Sequence, residues 1–242
     1  MFWQEKKGLA NIPASGKIAV TAFLILMGIS YIFGFFNIYF AYSPVDQKAG
    51  LSIEDIRIAF YGGRDKTQLE KSIDGTMREY FNTDNDYTSV KAWIQSGAGE
   101  KEFESVKQIF AASCVGCHAK DNPTAGVILE TYKDVKQHLS QDTGKSIPRL
   151  VSLTHTHLFS VGIVIFLLAF IFSFTKFSEK LKVSIFVLAF FASAFDVGAW
   201  WLAKSSASLA PLVIVGGALL AISFALLILL SLFDMWVRKR DS

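Results

Sequence analysis

The stretch KIAVTAFLILMGISYIFGFFNIYFAY, residues 17–42, carries one charge, at its first position. Beyond it the run is predominantly apolar for longer than the roughly 20 residues a helix needs to cross a bilayer. Three further runs share the property: Leu150 to Thr175, Leu181 to Ala203 and Leu209 to Trp236. Composition agrees, since 52% of the 242 residues are apolar and 22 are Phe. The expected fold is mainly α: a four-helix transmembrane bundle with a small α-helical domain inserted between spans 1 and 2. The first run is too long for a signal-peptide core and lacks a convincing cleavage site, so it is read as an uncleaved anchor.

The spans divide the chain into residues 1–42 (lead and first span), 43–150 (inserted domain) and 151–242 (spans two to four). Orientation follows from the basic residues. Lys6, Lys7 and Lys17 precede the first span, Lys176, Lys180 and Lys182 lie between the second and third, and Arg238, Lys239 and Arg240 follow the fourth. By the positive-inside rule all three clusters are cytoplasmic, as are both termini. The inserted domain is then expected at the periplasmic face of a bacterial inner membrane. It holds 14 Lys and Arg against 16 Asp and Glu, so the chain's net charge of +3 arises in the cytoplasmic flanks. That distribution excludes a nucleic-acid-binding face. Phe2, Trp3 and Pro13 suit a short interfacial lead.

At the centre of the inserted domain stands Cys114-Val115-Gly116-Cys117-His118, which contains both cysteines of the chain. Two thiols at this spacing can add across the vinyl groups of one porphyrin, while the histidine after them turns its imidazole onto the iron. A zinc site would want a second pair of thiolate or imidazole ligands, and a redox dithiol would be expected on a βαβ pattern. Neither is seen, so one covalently attached haem c is expected on Cys114 and Cys117, with His118 as iron ligand.

Around this motif the domain reads as short helices. Ser52 followed by Asp55 is a helix N-cap signal, and Tyr61-Gly62-Gly63-Arg64 ends that helix in a turn, lacking the Lys-Ser/Thr of a phosphate loop. Val90, Trp93 and Ile94 recur at helical spacing within Tyr87 to Gly97. Further helices are expected over Glu102 to Ala112 and Tyr132 to Leu139. Arg64 is a surface arginine or a partner for a haem propionate. For the sixth position on the iron, Met77 is the candidate, because of the four methionines only it lies in the inserted domain, in a polar loop poorly suited to core packing. His138 is the alternative; methionine raises a haem's potential and a second histidine lowers it.

The second span begins with Thr154-His155-Thr156-His157, and the third holds Asp196. Two positions apart on a helix means roughly 200° of rotation, so His155 and His157 cannot serve one ion together. Counted along the helical rise, His157 and Asp196 lie at similar depths. Ionisable groups inside a bilayer are costly, so His155, His157 and Asp196 form a candidate quinol and proton site. The alternatives are a structural network with Trp200 and Trp201, or haem ligation. The last is disfavoured because no other span contains a histidine. Gly28, Ser30 and Gly34, and Gly216, Gly217, Ala218, Ala221 and Ser223, are small residues suited to close helix packing.

Residues 65–135 resemble a class I cytochrome c domain whose halves have exchanged order. The loop Asp74-Gly75-Thr76-Met77 and the helix Tyr87 to Gly97 match the half that follows the haem site in that family, but here they precede it. Pro123 falls where the family places a carbonyl that orients the proximal histidine. The whole chain resembles four-span bacterial membrane cytochromes that share the sequence Leu153-Thr154-His155-Thr156-His157. The resemblance implies redox cycling of a single iron and haem attachment on the outer side of the membrane. The expected function is a membrane-bound mono-haem c-type cytochrome that transfers electrons at the periplasmic face, with quinol as candidate donor and a soluble or complex-bound acceptor. It reads as an electron-transfer subunit more than a stand-alone enzyme; the alternative is an accessory, structural or redox-sensing haem subunit of a larger membrane complex. The partners implied are the lipid bilayer, a membrane protein complex, a soluble or membrane redox carrier and a quinone, with no nucleic acid.

Overall fold

A computed structural model describes residues 8–43, 45–46, 48–122 and 126–238. Phe2, Trp3, Lys6, Lys7, Pro123, Lys239 and Arg240 lie outside the described residues. In chain order, α1 (Ala14–Tyr42) is followed by α2 (Ile53–Phe60), α3 (Gln68–Asp74), α4 (Asp84–Gln95), α5 (Glu100–Phe103), α6 (Lys107–Ser113), α7 (Val115–His118) and α8 (Tyr132–Lys136). Then come α9 (Ile147–Ser173), α10 (Glu179–Ser205) and α11 (Pro211–Trp236). The chain forms two compact units, Met1–Ala41 with Lys145–Ser242, and Tyr42–Gly144. No strand occurs among the described residues; one isolated bridge joins Thr67 to Gln141.

In the first unit, α1, α9, α10 and α11 run for 29, 27, 27 and 26 residues. At about 1.5 Å per residue each exceeds a hydrocarbon core of about 30 Å. All four are apolar enough to cross a membrane, and the protein is a multi-pass membrane protein. Local chemistry sets their starts. Ser146 accepts from the Arg149 amide ahead of α9, Ser178 accepts from the Leu181 amide ahead of α10, and Pro211 opens α11, where a missing N–H costs nothing.

Leu24, Ile165, Leu168, Phe172, Leu220 and Leu227 build the core of this unit. The inward face of α10 is lined by Ala189, Ala192, Ala199 and Ala203, which let backbones approach. A close approach is at Gly216 of α11, where a Cβ would stand 2.7 Å from the Asp196 Cα. Helix α1 buries only Lys17 and Leu24 and leaves Phe33 and Phe40 outward for lipid. It is tied to α11 by Tyr31, whose hydroxyl donates to the Gly217 carbonyl at 3.1 Å and whose ring lies 5.1 Å from Phe224.

The second unit has its own apolar core, with Leu69, Val90, Trp93, Phe103, Phe110 and Val135 at its heart. Ser52 and Asp55 form a reciprocal capping box on α2, and Thr131 and Asp134 form another on α8. Helix α2 ends at Phe60, and Gly62 follows at φ +101°, a conformation open to glycine. Its missing side chain also lets residues 142–144 pass close by.

Three expected helix bounds are corrected. The helix over Glu102 to Ala112 is broken into α5 and α6, because the Ser105 hydroxyl takes the Glu102 carbonyl at 2.6 Å and the next amides close three-residue turns, Val106 N to Phe103 O at 3.0 Å. The helix from Tyr132 stops at Lys136 rather than Leu139. The His138 amide there turns back to the Val135 carbonyl, while its own carbonyl accepts from Leu69 N at 2.9 Å. Helix α4 starts three residues earlier than Tyr87, capped by Thr83, which accepts from the Asp86 amide.

The ends of the second unit are joined by Asp142, which is buried. Its carboxylate accepts from Gly63 N at 2.8 Å and Gly144 N at 2.9 Å and pairs with Lys71 at 3.1 Å. Arg64 lies against this junction, its guanidinium 3.8 Å from the Tyr61 ring centroid.

Candidate functional site

Helix α6 runs into Cys114, which ends α6 and begins α7 with φ −117° and ψ −47°. The Cys114 amide donates to the Phe110 carbonyl at 2.9 Å, and the His118 amide donates to the Cys114 carbonyl at 2.9 Å. One helical turn therefore carries both thiols and the imidazole. Both thiols are free; Cys114 is half-buried at the edge of the apolar core and Cys117 is exposed. Burial pushes the Cys114 thiol up to about 11, so it is protonated at neutral pH. Redox dithiols and metal thiolates need the opposite environment, one that lowers the thiol pKa.

The His118 imidazole is oriented by the chain downstream. Its Nδ1 lies 3.0 Å from the Val127 carbonyl oxygen, and its own carbonyl accepts from Leu129 N at 2.9 Å. A carbonyl can only accept, so Nδ1 carries the proton and donates, leaving the Nε2 lone pair for a ligand. The carbonyl of Pro123, suggested by the family resemblance for this role, lies outside the described residues. Val127 was not foreseen, and spacing alone offers no signal for it. The Ser113 hydroxyl oxygen, one residue before Cys114, is buried with no hydrogen-bond partner among the described residues.

Met77 sits half-buried in the turn after α3, outside the apolar core, with its amide on the Ser72 carbonyl at 3.0 Å. Among the described residues no hydrogen bond, ion pair or ring contact joins it to His118. His138 does lie within electrostatic reach of His118. Burial first, and then the His118 charge, hold the His138 imidazole below its usual pKa. Among the described residues there is no cluster of three or more His, Cys, Asp or Glu able to hold a bare metal ion.

In the membrane unit His157 and Asp196 face one another, Nε2 to Oδ2 3.6 Å. The Trp200 ring stands edge-on to His157 with centroids 4.9 Å apart, and Trp201 Nε1 donates to Thr154 Oγ1 at 3.0 Å. Asp196 also lies against Gly216 and Gly217, and close enough to Tyr31 for its charge to act on that hydroxyl. Residues of all four spans thus converge on one acid. His155 is separate: it is exposed and stacks on Phe159, 6.3 Å between centroids.

A second intramembrane acid escaped sequence reasoning. Asp234 is fully buried near the end of α11 and accepts from Leu9 N at 2.9 Å, Lys176 N at 3.0 Å and Arg238 Nη1 at 2.8 Å. The i,i+4 spacing of Asp234 and Arg238 was the available signal. Lys17 Nζ donates to the neighbouring Met235 carbonyl at 3.1 Å. This set closes one end of the bundle. The second unit also holds a charged cavity of about 240 Å³, lined by residues including Asp46, Glu54, Arg57, Lys66, Lys71 and Asp142, in which the two signs neutralise one another.

Residues 131–242, which take in α8 and three of the four spans, match a family described as a transmembrane helical domain. No curated protein and no solved structure matches the chain.

Proposed function

We propose that the chain is a membrane-bound mono-haem c-type cytochrome that carries electrons at the periplasmic face, from the membrane to a soluble or complex-bound acceptor. The observation that carries this reading is the hydrogen bond from His118 Nδ1 to the Val127 carbonyl at 3.0 Å. It fixes the tautomer that an iron-binding imidazole needs, on the same helical turn as two uncommitted thiols. Cys114 and Cys117 would hold the haem through thioether bonds, and His118 Nε2 would face the iron. The porphyrin brings its own equatorial nitrogens, so no cluster of protein ligands is required. When bound, the haem supplies one-electron chemistry.

The chain's residues do the rest. The Val127 carbonyl raises the basicity of the imidazole and holds its plane. The core edge at Phe110, Val127 and Leu129 supplies an apolar wall beside the motif. The orphaned Ser113 hydroxyl is a donor to spare for a polar edge of the ligand. Met77 and His138 compete for the sixth position. The loop position outside the apolar core makes Met77 the first choice, with His138 the alternative. The basic residues Lys176, Lys180 and Lys182 between the second and third spans support an outer location for the haem unit.

The alternative is an accessory or sensing subunit of a larger membrane complex, whose haem would take no sixth ligand from this chain. A haem without a sixth protein ligand binds small gases more readily than it relays electrons.

The test is to express the full chain with a haem-attachment apparatus and measure its intact mass and reduced visible spectrum. A gain of one haem, lost in Cys114→Ala with Cys117→Ala, supports the reading. A chain that gains no haem and binds zinc through the cysteines overturns it. Rapid carbon monoxide binding by the reduced protein would select the sensing alternative.

A further inference from the structure

Histidine 157 is the least satisfied polar side chain in the membrane unit. Its Nε2 is buried with no hydrogen-bond partner among the described residues and stands 3.6 Å from Asp196 Oδ2, an ion-pair distance longer than a hydrogen bond. Burial there is uneven: the side chain remains 35% exposed while Asp196 opposite is 8% exposed. Nε2 therefore faces a buried acid, and the exposure of the side chain lies on its other atoms.

At the eleventh residue of α9, roughly 15 Å along the helix, those exposed atoms meet lipid and not bulk water. An imidazole nitrogen presented to hydrocarbon without a partner is costly, and such groups persist where a ligand or a proton uses them. Asp196 settles which nitrogen is which. A carboxylate facing Nε2 favours the proton on Nε2 and leaves the Nδ1 lone pair for an incoming donor. Trp200, 4.9 Å from the His157 ring, adds an aromatic wall beside it. Around the acid the other elements contribute Tyr31 from α1 and the Gly216 and Gly217 backbone from α11, and no Lys or Arg among the described residues pairs with Asp196.

The occupant must arrive through the bilayer, so it is lipid-soluble. It must also bring a hydroxyl to an imidazole and a flat ring to an indole. We propose that His157, backed by Asp196 and walled by Trp200, binds the head group of a quinol, with the quinol hydroxyl donating to His157 Nδ1. The 3.6 Å gap to Asp196 closes as the ligand polarises the ring, since acid–base contacts are commonly long before the ligand is in place. That this quinol is the electron donor rests on the cytochrome reading; that it binds does not.

The tryptophan beside the site makes binding visible. The full chain in lipid nanodiscs is titrated with a decyl-benzoquinol and, separately, a short-chain naphthoquinol, each kept reduced, following tryptophan fluorescence. Saturable quenching is expected in the wild type. Affinity should fall about tenfold in His157→Gln and in Asp196→Asn, the loss of one hydrogen-bonded contact, and stay unchanged in Ser231→Ala at the far end of α11. Linear, unsaturable quenching in the wild type, or the same affinity in all four proteins, overturns the site.

A wild-type measurement guards against variants that misfold. Bound quinol should slow the modification of His157 by diethyl pyrocarbonate, read by peptide mass, and equal rates with and without quinol overturn the proposal. Reduction of the haem by decyl-benzoquinol separates the two readings. Saturable binding without haem reduction leaves the site and removes the electron-transfer role; haem reduction without saturable binding does the reverse.

Discussion

His118 donates from Nδ1 to the backbone carbonyl of Val127 at 3.0 Å, so a loop nine residues downstream sets the tautomer of the imidazole in the Cys-x-x-Cys-His turn. That loop reaches Val127 through Gly126, whose φ is +57°. A side chain there costs about 1–2 kcal/mol in the left-handed region. Gly126→Ala is therefore expected to displace the Val127 carbonyl, make the imidazole a weaker donor and so raise the reduction potential of a haem bound there. Potentiometry on the haem-loaded chain checks it; an unchanged potential would mean the carbonyl contact is incidental.

Met77 and His138 separate cleanly by spectroscopy. If Met77 holds the sixth position, Met77→Ala abolishes the charge-transfer band of methionine-ligated ferric haem and drops the potential, whereas His138→Ala leaves both in place. If His138 holds it, the wild type lacks that band and His138→Ala raises the potential while Met77→Ala leaves it unchanged. A wild type without the band whose potential moves in neither variant identifies a haem open at its sixth site.

The Asp74 carboxylate is buried and accepts from Lys66 at 2.6 Å, Lys91 at 2.8 Å and the Tyr87 hydroxyl at 2.8 Å. Burial alone would push its pKa up; the three hydrogen bonds outweigh it, and the net shift is downward. A carboxyl with a lower pKa folded than unfolded contributes its full stability above the unfolded value, about 3.9, and loses it as pH falls through the folded value. The protection factors of the α4 amides, which remove the intrinsic pH dependence of exchange, should accordingly fall on acidification below about pH 4. Asp74→Asn should raise exchange already at neutral pH, by about 1–3 kcal/mol of lost protection, and flatten the acid response.

Gly216→Ala puts a methyl group 2.7 Å from the Asp196 Cα, where α11 packs on α10. Both sides of that contact are backbone or short side chain, so the helices must separate. A loss of about 1–3 kcal/mol in bundle stability is expected, with weaker quinol binding as Asp196 moves. Thermal unfolding in detergent measures the first effect. Gly34→Ala, where an added Cβ meets nothing within 4 Å, should be silent in the same assay.

Asp234→Ala strips a common acceptor from Leu9 N, Lys176 N and the Arg238 guanidinium. Each donor left unpaired in a buried site costs about 1–3 kcal/mol. The segment around Leu9 should detach and become open to proteolysis while the four spans stay inserted. Resistance equal to wild type in limited proteolysis would show that the clamp is dispensable.

The sequence by itself determined the elements whose causes are local. Hydropathy over about 20 residues depends on neighbours in the chain, and the runs from Lys17, Leu150, Leu181 and Leu209 appear as α1, α9, α10 and α11 with ends shifted by a few residues. The Ser52–Asp55 capping box was legible for the same reason, since it spans three residues. The Cys114–His118 turn was legible as chemistry because its spacing is itself the signal. The break between α5 and α6 was not legible, because a single hydroxyl, Ser105, competes with the helix for one carbonyl.

Everything set by rotation or long-range closure was left to the tertiary structure. Helical rise places His157 and Asp196 at one depth, but only packing of α9 on α10 turns His157, and not His155, toward the acid. The carbonyl that holds His118 comes from a loop whose path no local pattern specifies. Asp142 meets Gly63 across 79 positions and Asp234 meets Leu9 across 225. Such contacts form only after both partners are buried, when an unpaired carboxylate would be too costly to leave. That cost acts on the folded chain as a whole and leaves no trace in any short window of it.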